Sequence, residues 1–293
     1  MDEYGFDNEV IGLVDEKDAA ILDAENSFLD SISAVELIVF GLLWDRISRM
    51  NQNNGFVVFD DYNISIVNQI PSLISQGINN STYASNVNSY VSSFRDIKDL
   101  NLRAVSKVNN IPIADLELLV RPIQTQIVSQ TIQGLTGAGI DSEFIQPIKN
   151  AIFANVASGA RIRELEKTLR QLIVSGAIDS RLKKYVSLVA RDSINQFDGQ
   201  LNSLVAKTYN LNAYRYVGSL IVDSRPQCVR WKGLGVIPIF TLPQEIAWAA
   251  KYGSGLIPNT NPNNFAVYRG GYNCRHSAIP FRLSDDQLKL FKK

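Results

Sequence analysis

From about Asn110 to Tyr209 the apolar residues recur at three- and four-residue steps, and the residues between the runs mark where each one stops. Ile111 and Ile113 flank Pro112 ahead of Leu116, Leu118, Leu119, Ile123 and Ile127, a spacing that predicts a helix. Gly134, Gly137 and Gly139 break this run. Asp141 then stands where it would cap a second helix carrying Phe144, Ile148, Ile152 and Val156 and ending at Ser158-Gly159. A third run places Ile162, Leu165, Leu169 and Leu172 on one face and the i,i+4 pair Glu166 and Arg170 on the other. The fourth starts near Ser180. Its stripe is Leu182, Val186, Val189, Ile194, Phe197, Leu201 and Leu204, and its outer face carries Arg181, Lys183, Lys184 and Arg191.

After Asn210 the pattern changes. AYRYVGSLIVDS alternates and is β-branched, which predicts a strand ending at Asp223. Pro226, Gly233, Gly235, Pro238 and Pro243 mark loops, and a short helix is expected around Gln244 to Lys251. GSGLIPNTNPNNF reads as an exposed loop, Phe265 to Tyr268 as a further strand, and the chain returns through GGYNCRHSAIPF to a polar tail. The first hundred residues read as mostly helical, with polar connections around 50–55 and 77–88. Their longest apolar run, Ala34 to Trp44, contains Glu36 and is shorter than the ~20 residues that span a bilayer, so it predicts a buried helix and no membrane span. The expected fold is mainly α: an elongated helical body with a small C-terminal α+β module. An acidic helical arm over 1–60, a helical body over 61–209 and a basic module over 210–293 are the expected divisions.

Composition refines this picture in two places. With 45% hydrophobic residues in 293, the chain buries a substantial core and is not broadly disordered. The acidic start MDEYGFDNEV lacks the basic flank of a secretory signal. Two cysteines make no disulfide framework, so a reducing compartment is expected. The formal net charge of zero hides a polarity: residues 1–60 carry 13 acids and 3 bases, residues 61–160 carry 7 and 6, and residues 161–293 carry 9 and 20. An acidic arm suits a basic protein surface, whereas a basic C-terminal part suits phosphates or an acidic protein face. Mutual neutralisation inside one fold is the alternative.

The residue types most capable of special chemistry are Cys228, Cys274 and His276, all in the last third. Thiolate and imidazole suit zinc, with Asp223 as a candidate fourth ligand. The expected role is nevertheless packing and hydrogen bonding that pins the last strand against the loop after Asp223, with no cofactor assigned; a disulfide between the cysteines and a Cys-His nucleophilic dyad are the other readings. The dyad lacks an orienting acid. GLTGAG lacks the Lys-Ser/Thr of a nucleotide loop, and Asp60-Asp61 and Asp285-Asp286 read as solvated pairs, so no catalytic residue is assigned.

The order of features from Ser180 to Phe281 resembles the phage Mu F-like minor head protein family, also called head morphogenesis proteins. The elements that carry the resemblance are Arg191-Asp192-Ser193 on a long helix, a strand through Tyr216 and Val217, Asp223-Ser224-Arg225, Cys228, Gly233, the box Asn273-Cys274-Arg275-His276 and Pro280. Arg191 is followed by Asp-Ser where relatives often have Thr-Glu. The resemblance implies a structural, non-enzymatic virion protein that associates with the portal and with capsid or scaffold proteins. It would act in the host cytoplasm during head assembly and take part in packaging or delivering double-stranded DNA through the basic C-terminal part. Arg225, Arg230, Lys232, Arg269 and Arg275 then stabilise the fold or contact phosphate. A metal-dependent nuclease or toxin-like enzyme acting on nucleic acid is the alternative.

Overall fold

A computed structural model describes residues 6–176, 178–271 and 274–292. The fold is mainly α with a small C-terminal α+β module, in the order that follows. Helix α1 (Asn8–Ile47) leads into a hairpin of β1 (Gln52–Asn53) and β2 (Phe56–Val57), then α2 (Asp61–Asn79), α3 (Tyr83–Asn109) and α4 (Ile113–Thr136). A short α5 (Ala138–Ile140) runs through a π-turn into α6 (Gln146–Ala157), and α7 (Ile162–Ile173) and α8 (Arg181–Thr208) complete the helical part. The C-terminal part is β3 (Ala213–Val217), α9 (Pro226–Leu234), β4 (Val236–Pro238), α10 (Leu242–Tyr252), α11 (Phe265–Tyr268), β5 (Ser277–Phe281) and α12 (Asp285–Leu290).

Contacts divide the chain into two units, each assembled from separated stretches. One combines residues 1–23, 92–128 and 191–293, and the other residues 24–91 and 129–190. In the second unit the hairpin turns on Asn54-Gly55, both with positive φ, which is the type I′ geometry that matches strand twist. Buried Asn63 on α2 clasps the hairpin: its Oδ1 accepts from Asn51 N at 2.8 Å and its Nδ2 donates to Val58 O at 2.7 Å. Asp60 caps α2 by accepting from Asn63 N, and Ile66, Val67, Ile70 and Ile74 form the buried stripe. On α7 the buried residues are Leu165, Leu169 and Ile173, so Ile173 takes the place expected of Leu172, while the expected Glu166–Arg170 pair is formed at 3.3 Å.

Helix α1 is long and apolar enough to cross a membrane by length and composition, a property the broken run Ala34–Trp44 conceals. In the second unit it serves as a core helix: Val35, Val39, Leu43 and Ile47 are buried. Fully buried Glu36 accepts hydrogen bonds from Ser175 N at 2.7 Å, Ser175 Oγ and Ser180 Oγ, which satisfies its carboxylate inside the protein.

The first unit carries the C-terminal sheet, ordered β4-β3-β5 and antiparallel throughout. Ala213 pairs with Phe281 and Val217 with Ser277 along β5, while Ala213 pairs with Pro238 along β4. Pro280 sits on edge strand β5, where its missing N–H costs no central ladder bond, and its carbonyl accepts from Asn109 Nδ2 at 3.0 Å.

Four expectations are corrected. The strand stops at Val217, because Gly218 takes φ +119 and the chain leaves the sheet, so Leu220, Ile221 and Val222 form an exposed loop. Residues 265–268 form a short helix rather than a strand. Asp141 lies inside the π-turn rather than at a helix cap. The polar stretch at 77–88 is almost wholly helical, with only residues 80–82 linking α2 to α3.

Candidate metal centre and the cavity beside it

The site begins with an aromatic floor laid by β3. Tyr214 and Tyr216 are buried two residues apart, so they share one face of the strand. Tyr216 packs edge-on to Trp231 of α9 at 5.6 Å and stacks on His276 at 5.2 Å. Phe265 closes the cluster, 5.0 Å from Trp231 and 5.7 Å from Tyr214. Helix α9 begins at Pro226, whose fixed φ and absent N–H suit a first helical position, and this places Cys228 in the first turn facing Tyr216.

Cys228, Cys274 and His276 converge here, all buried, with ligand atoms within 4.8 Å of one another. The two sulfurs are 3.9 Å apart and both cysteines are free, so they form no disulfide. Cys274 Sγ lies 3.6 Å from His276 Nδ1, and Tyr216 Oη lies 3.4 Å from Cys274 Sγ and 3.7 Å from Cys228 Sγ. Cys274 and His276 occupy the loop just before β5, which begins at Ser277. Gly270 is what allows the approach, because a Cβ there would lie 2.2 Å from Cys228 Sγ and 2.9 Å from Cys274 Sγ.

The hydrogen bond from Cys228 holds the Cys274 thiol well below the usual thiol range, against the effect of burial and with help from His276 and Arg269. The Cys228 thiol is driven up by the same hydrogen bond and by burial. The pair is thus biased in opposite directions, Cys274 toward the thiolate and Cys228 toward the thiol. Burial, reinforced by the two cysteines, raises the Tyr216 hydroxyl well above the ordinary phenol value, so it stays a hydrogen-bond donor.

The donor set fits zinc on geometry as well as chemistry. With Zn–S near 2.3 Å and Zn–N near 2.0–2.1 Å, a tetrahedral site has edges of about 3.8 Å between sulfurs and about 3.6 Å from sulfur to nitrogen. Two of the three edges match, Cys228 Sγ to Cys274 Sγ at 3.9 Å and Cys274 Sγ to His276 Nδ1 at 3.6 Å, and the third lies within 4.8 Å. Asp223, the expected fourth ligand, lines the same cavity but is exposed and stands outside this ligand cluster.

A cavity of about 270 Å³ opens at the centre, and Arg191, Asp223, Arg225, Cys228, Cys274, Arg275 and His276 all line it. Sequence segments spread over 86 positions, from Arg191 to His276, thus meet at one place. Asn273 lies outside the described residues. Gly233 is not among the lining residues; it sits within α9, and the positive φ that ends that helix belongs to Gly235.

Of the other basic residues singled out, Arg230 and Arg269 have structural partners, and Lys232 is exposed on α9. Arg230 grips Glu245 through two bonds of 2.7 and 2.8 Å and lies over the Trp248 ring. Arg269 is buried, donating to Asp198 Oδ2 at 3.2 Å and to the carbonyl of Asn195. Asp198 also accepts from Lys17 Nζ at 2.8 Å, Asn101 Nδ2 at 2.6 Å and Ser277 Oγ at 2.8 Å. Lys17, Asn101, Asp198 and Gly270 were not visible as a site in the sequence; only the unusual Gly270-Gly271 pair hinted at a close approach.

This network brings the acidic N-terminal residues and the basic C-terminal residues into the same unit. Its three stretches carry net −7, +1 and +7, which leaves the unit at +1. The charge polarity along the sequence is therefore cancelled within the fold, and only local clusters retain a field.

Comparison with family models, curated proteins and solved structures finds no match to this chain.

Proposed function

We propose that this chain is a low-copy structural protein of a tailed-phage head, and that Cys228, Cys274 and His276 hold a zinc ion that fixes its C-terminal module. Its partners in this reading are the portal, capsid or scaffold proteins and the packaged DNA. The observation that supports it is the convergence of Arg191, Asp223-Arg225, Cys228 and Cys274-His276 on one cavity, since these are the same ordered boxes that carry the resemblance to Mu F-like head proteins. Bound zinc would neutralise two thiolates and tie α9 to the segment entering β5, displacing the Cys228 proton as it binds.

Quantitative mass spectrometry of purified particles should find the chain far less abundant than the major capsid protein, and elemental analysis of the purified chain should return about one zinc per molecule. Absence from particles, or capsid-like abundance, overturns the virion assignment. Metal-free protein whose melting temperature ignores a chelator overturns the zinc assignment.

One feature favours a second reading. Three protein ligands with an adjacent cavity is the arrangement of catalytic rather than closed structural zinc. A metal-dependent nuclease would use it, with Asp223 as the only carboxylate among the lining residues. Zinc-dependent cleavage of DNA or RNA, lost in Asp223→Asn, would establish that reading over the structural one.

A further inference from the structure

Cys228, Cys274 and His276 leave one position of a four-coordinate zinc to be filled, and Asp223 stands outside their cluster. One oxygen does face both sulfurs. Tyr216 Oη lies 3.4 Å from Cys274 Sγ and 3.7 Å from Cys228 Sγ. With zinc–sulfur bonds near 2.3 Å and zinc–oxygen bonds near 2.0–2.2 Å, the sulfur-to-oxygen edge of a tetrahedral site is about 3.5–3.7 Å. The two sulfurs and the phenol oxygen therefore form a triangle, with edges of 3.9, 3.4 and 3.7 Å, of the size an ion bound by all three requires.

A hydrogen bond would hold Tyr216 at similar distances, but a phenol has one proton and can donate it to one sulfur at a time, whereas a metal ion engages all three donors together. Gly270 supplies an independent observation. A Cβ built on it would meet, as its three nearest heavy atoms, Cys228 Sγ at 2.2 Å, Cys274 Sγ at 2.9 Å and Tyr216 Oη at 3.2 Å. The same three atoms thus face one glycine, and its missing side chain leaves the space beside them clear. The oxygen is also held in place. Tyr216 stands on the central strand β3, paired with Ala278 of β5, and its ring stacks on His276 and meets Trp231 edge-on. It is 1% exposed, so the oxygen reaches the cluster from within the protein.

We propose that Tyr216 is the fourth zinc ligand, its phenol oxygen completing a closed site with Cys228, Cys274 and His276. The inference rests on the zinc reading of those three residues. Without metal the phenol keeps its proton; a bound cation favours the anionic form of its own ligands, and the proton leaves to solvent as the ion enters. Four protein ligands make a structural site, so ligation by Tyr216 argues against a catalytic centre whose fourth position opens to the cavity.

Zinc titration of the metal-free full chain, followed by calorimetry and by near-ultraviolet difference absorbance, tests the proposal. The expected result is binding of about one equivalent of zinc together with the growth of a tyrosinate band, a signature that a hydrogen-bonding phenol does not give and that needs no variant to read. Tyr216→Phe keeps the ring and its stacking on His276; it should abolish the band and weaken zinc binding about tenfold or more. In the cobalt-loaded variant, added azide should take the vacated position and change the visible spectrum, while the cobalt-loaded unaltered chain should not respond. Tyr62→Phe, an exposed change in the other unit, should keep the band. Zinc bound without a tyrosinate band, a band that survives Tyr216→Phe, or an azide response in the unaltered chain overturns the proposal and leaves the three-residue zinc site standing. A full chain that binds no zinc overturns both.

Discussion

Replacing Asp198 by asparagine should destabilise the first unit more than any other single polar change. The carboxylate is fully buried and faces Lys17 and Arg269, whose side chains are 1% and 2% exposed. Burial alone would raise its pKa, but Lys17 and Arg269 outweigh that and hold it below the usual value of 3.8. The neutral amide would leave two buried cations with only Asp18, 3.9 Å from Lys17, as a counter-charge. Breaking one buried pair costs about 3–5 kcal/mol, a large share of the 5–15 kcal/mol that holds a typical domain. Urea unfolding followed by fluorescence suits the measurement, because Trp231 and Trp248 report on this unit and Trp44 on the other. Adding Lys17→Met removes one orphaned cation and should recover about 1–3 kcal/mol. The acid limb gives an independent sign. A depressed carboxyl pKa contributes stability above about 3.8 that is lost as pH falls through the folded-state value, so Asp198→Asn should lack that part of acid unfolding. A loss below about 1 kcal/mol, or a further loss on adding Lys17→Met, would refute the reasoning.

Two other substitutions probe the same unit. Gly270→Ala places a methyl 2.2 Å from Cys228 Sγ and should cost about 1–3 kcal/mol by overpacking while lowering zinc retention; an unchanged melting temperature together with unchanged metal content would show that the sulfurs do not crowd this residue. Asp18 is pushed up to about 6, chiefly by burial, with Lys17 opposing and Asp198 adding. A raised carboxyl pKa costs stability progressively as pH climbs from about 4 to 6, so Asp18→Asn should stabilise by at most about 3 kcal/mol at pH 7 and by almost nothing below pH 4. Denaturation midpoints across that range check this, and a gain that does not vary with pH would count against it.

The helical part was legible because its signals are local. Leu165 and Leu169, the Glu166–Arg170 pair and the stop at Ser158-Gly159 each follow from neighbours three or four positions away. The failures occur where tertiary packing overrides the local pattern. β5 is buried at all five positions, so its sequence shows no alternation, whereas AYRYVGSLIVDS reads as one strand yet leaves the sheet at Gly218. Asn54-Gly55 is a strong hairpin signal, but its strands are two residues each, too short for periodicity to reveal. Three of the site's chemically distinctive residues were visible because they are the only cysteines and the only histidine; Gly270 contributes shape rather than rare chemistry and was not singled out, and Tyr216 was read only as part of a strand.

What no local pattern could reveal is that the C-terminal module borrows its interior from the start and middle of the chain. Ser277 and Asp198 are held by Lys17, Asn101 also reaches Asp198, and Asn109 reaches Pro280. Phe6 packs edge-on against Phe281 at 5.3 Å. A fragment beginning at residue 161 would lose all of these, leaving Asp198 without Lys17 and uncovering the end of β5, and one beginning at residue 210 would also lack Asp198, the partner of Arg269. Its instability would then say nothing about zinc, and its excess of basic residues would bind any polyanion once the neutralising acidic stretch was gone. Metal binding is therefore a property to measure on the intact chain, where the acidic N-terminal stretch and the basic C-terminal stretch belong to one unit.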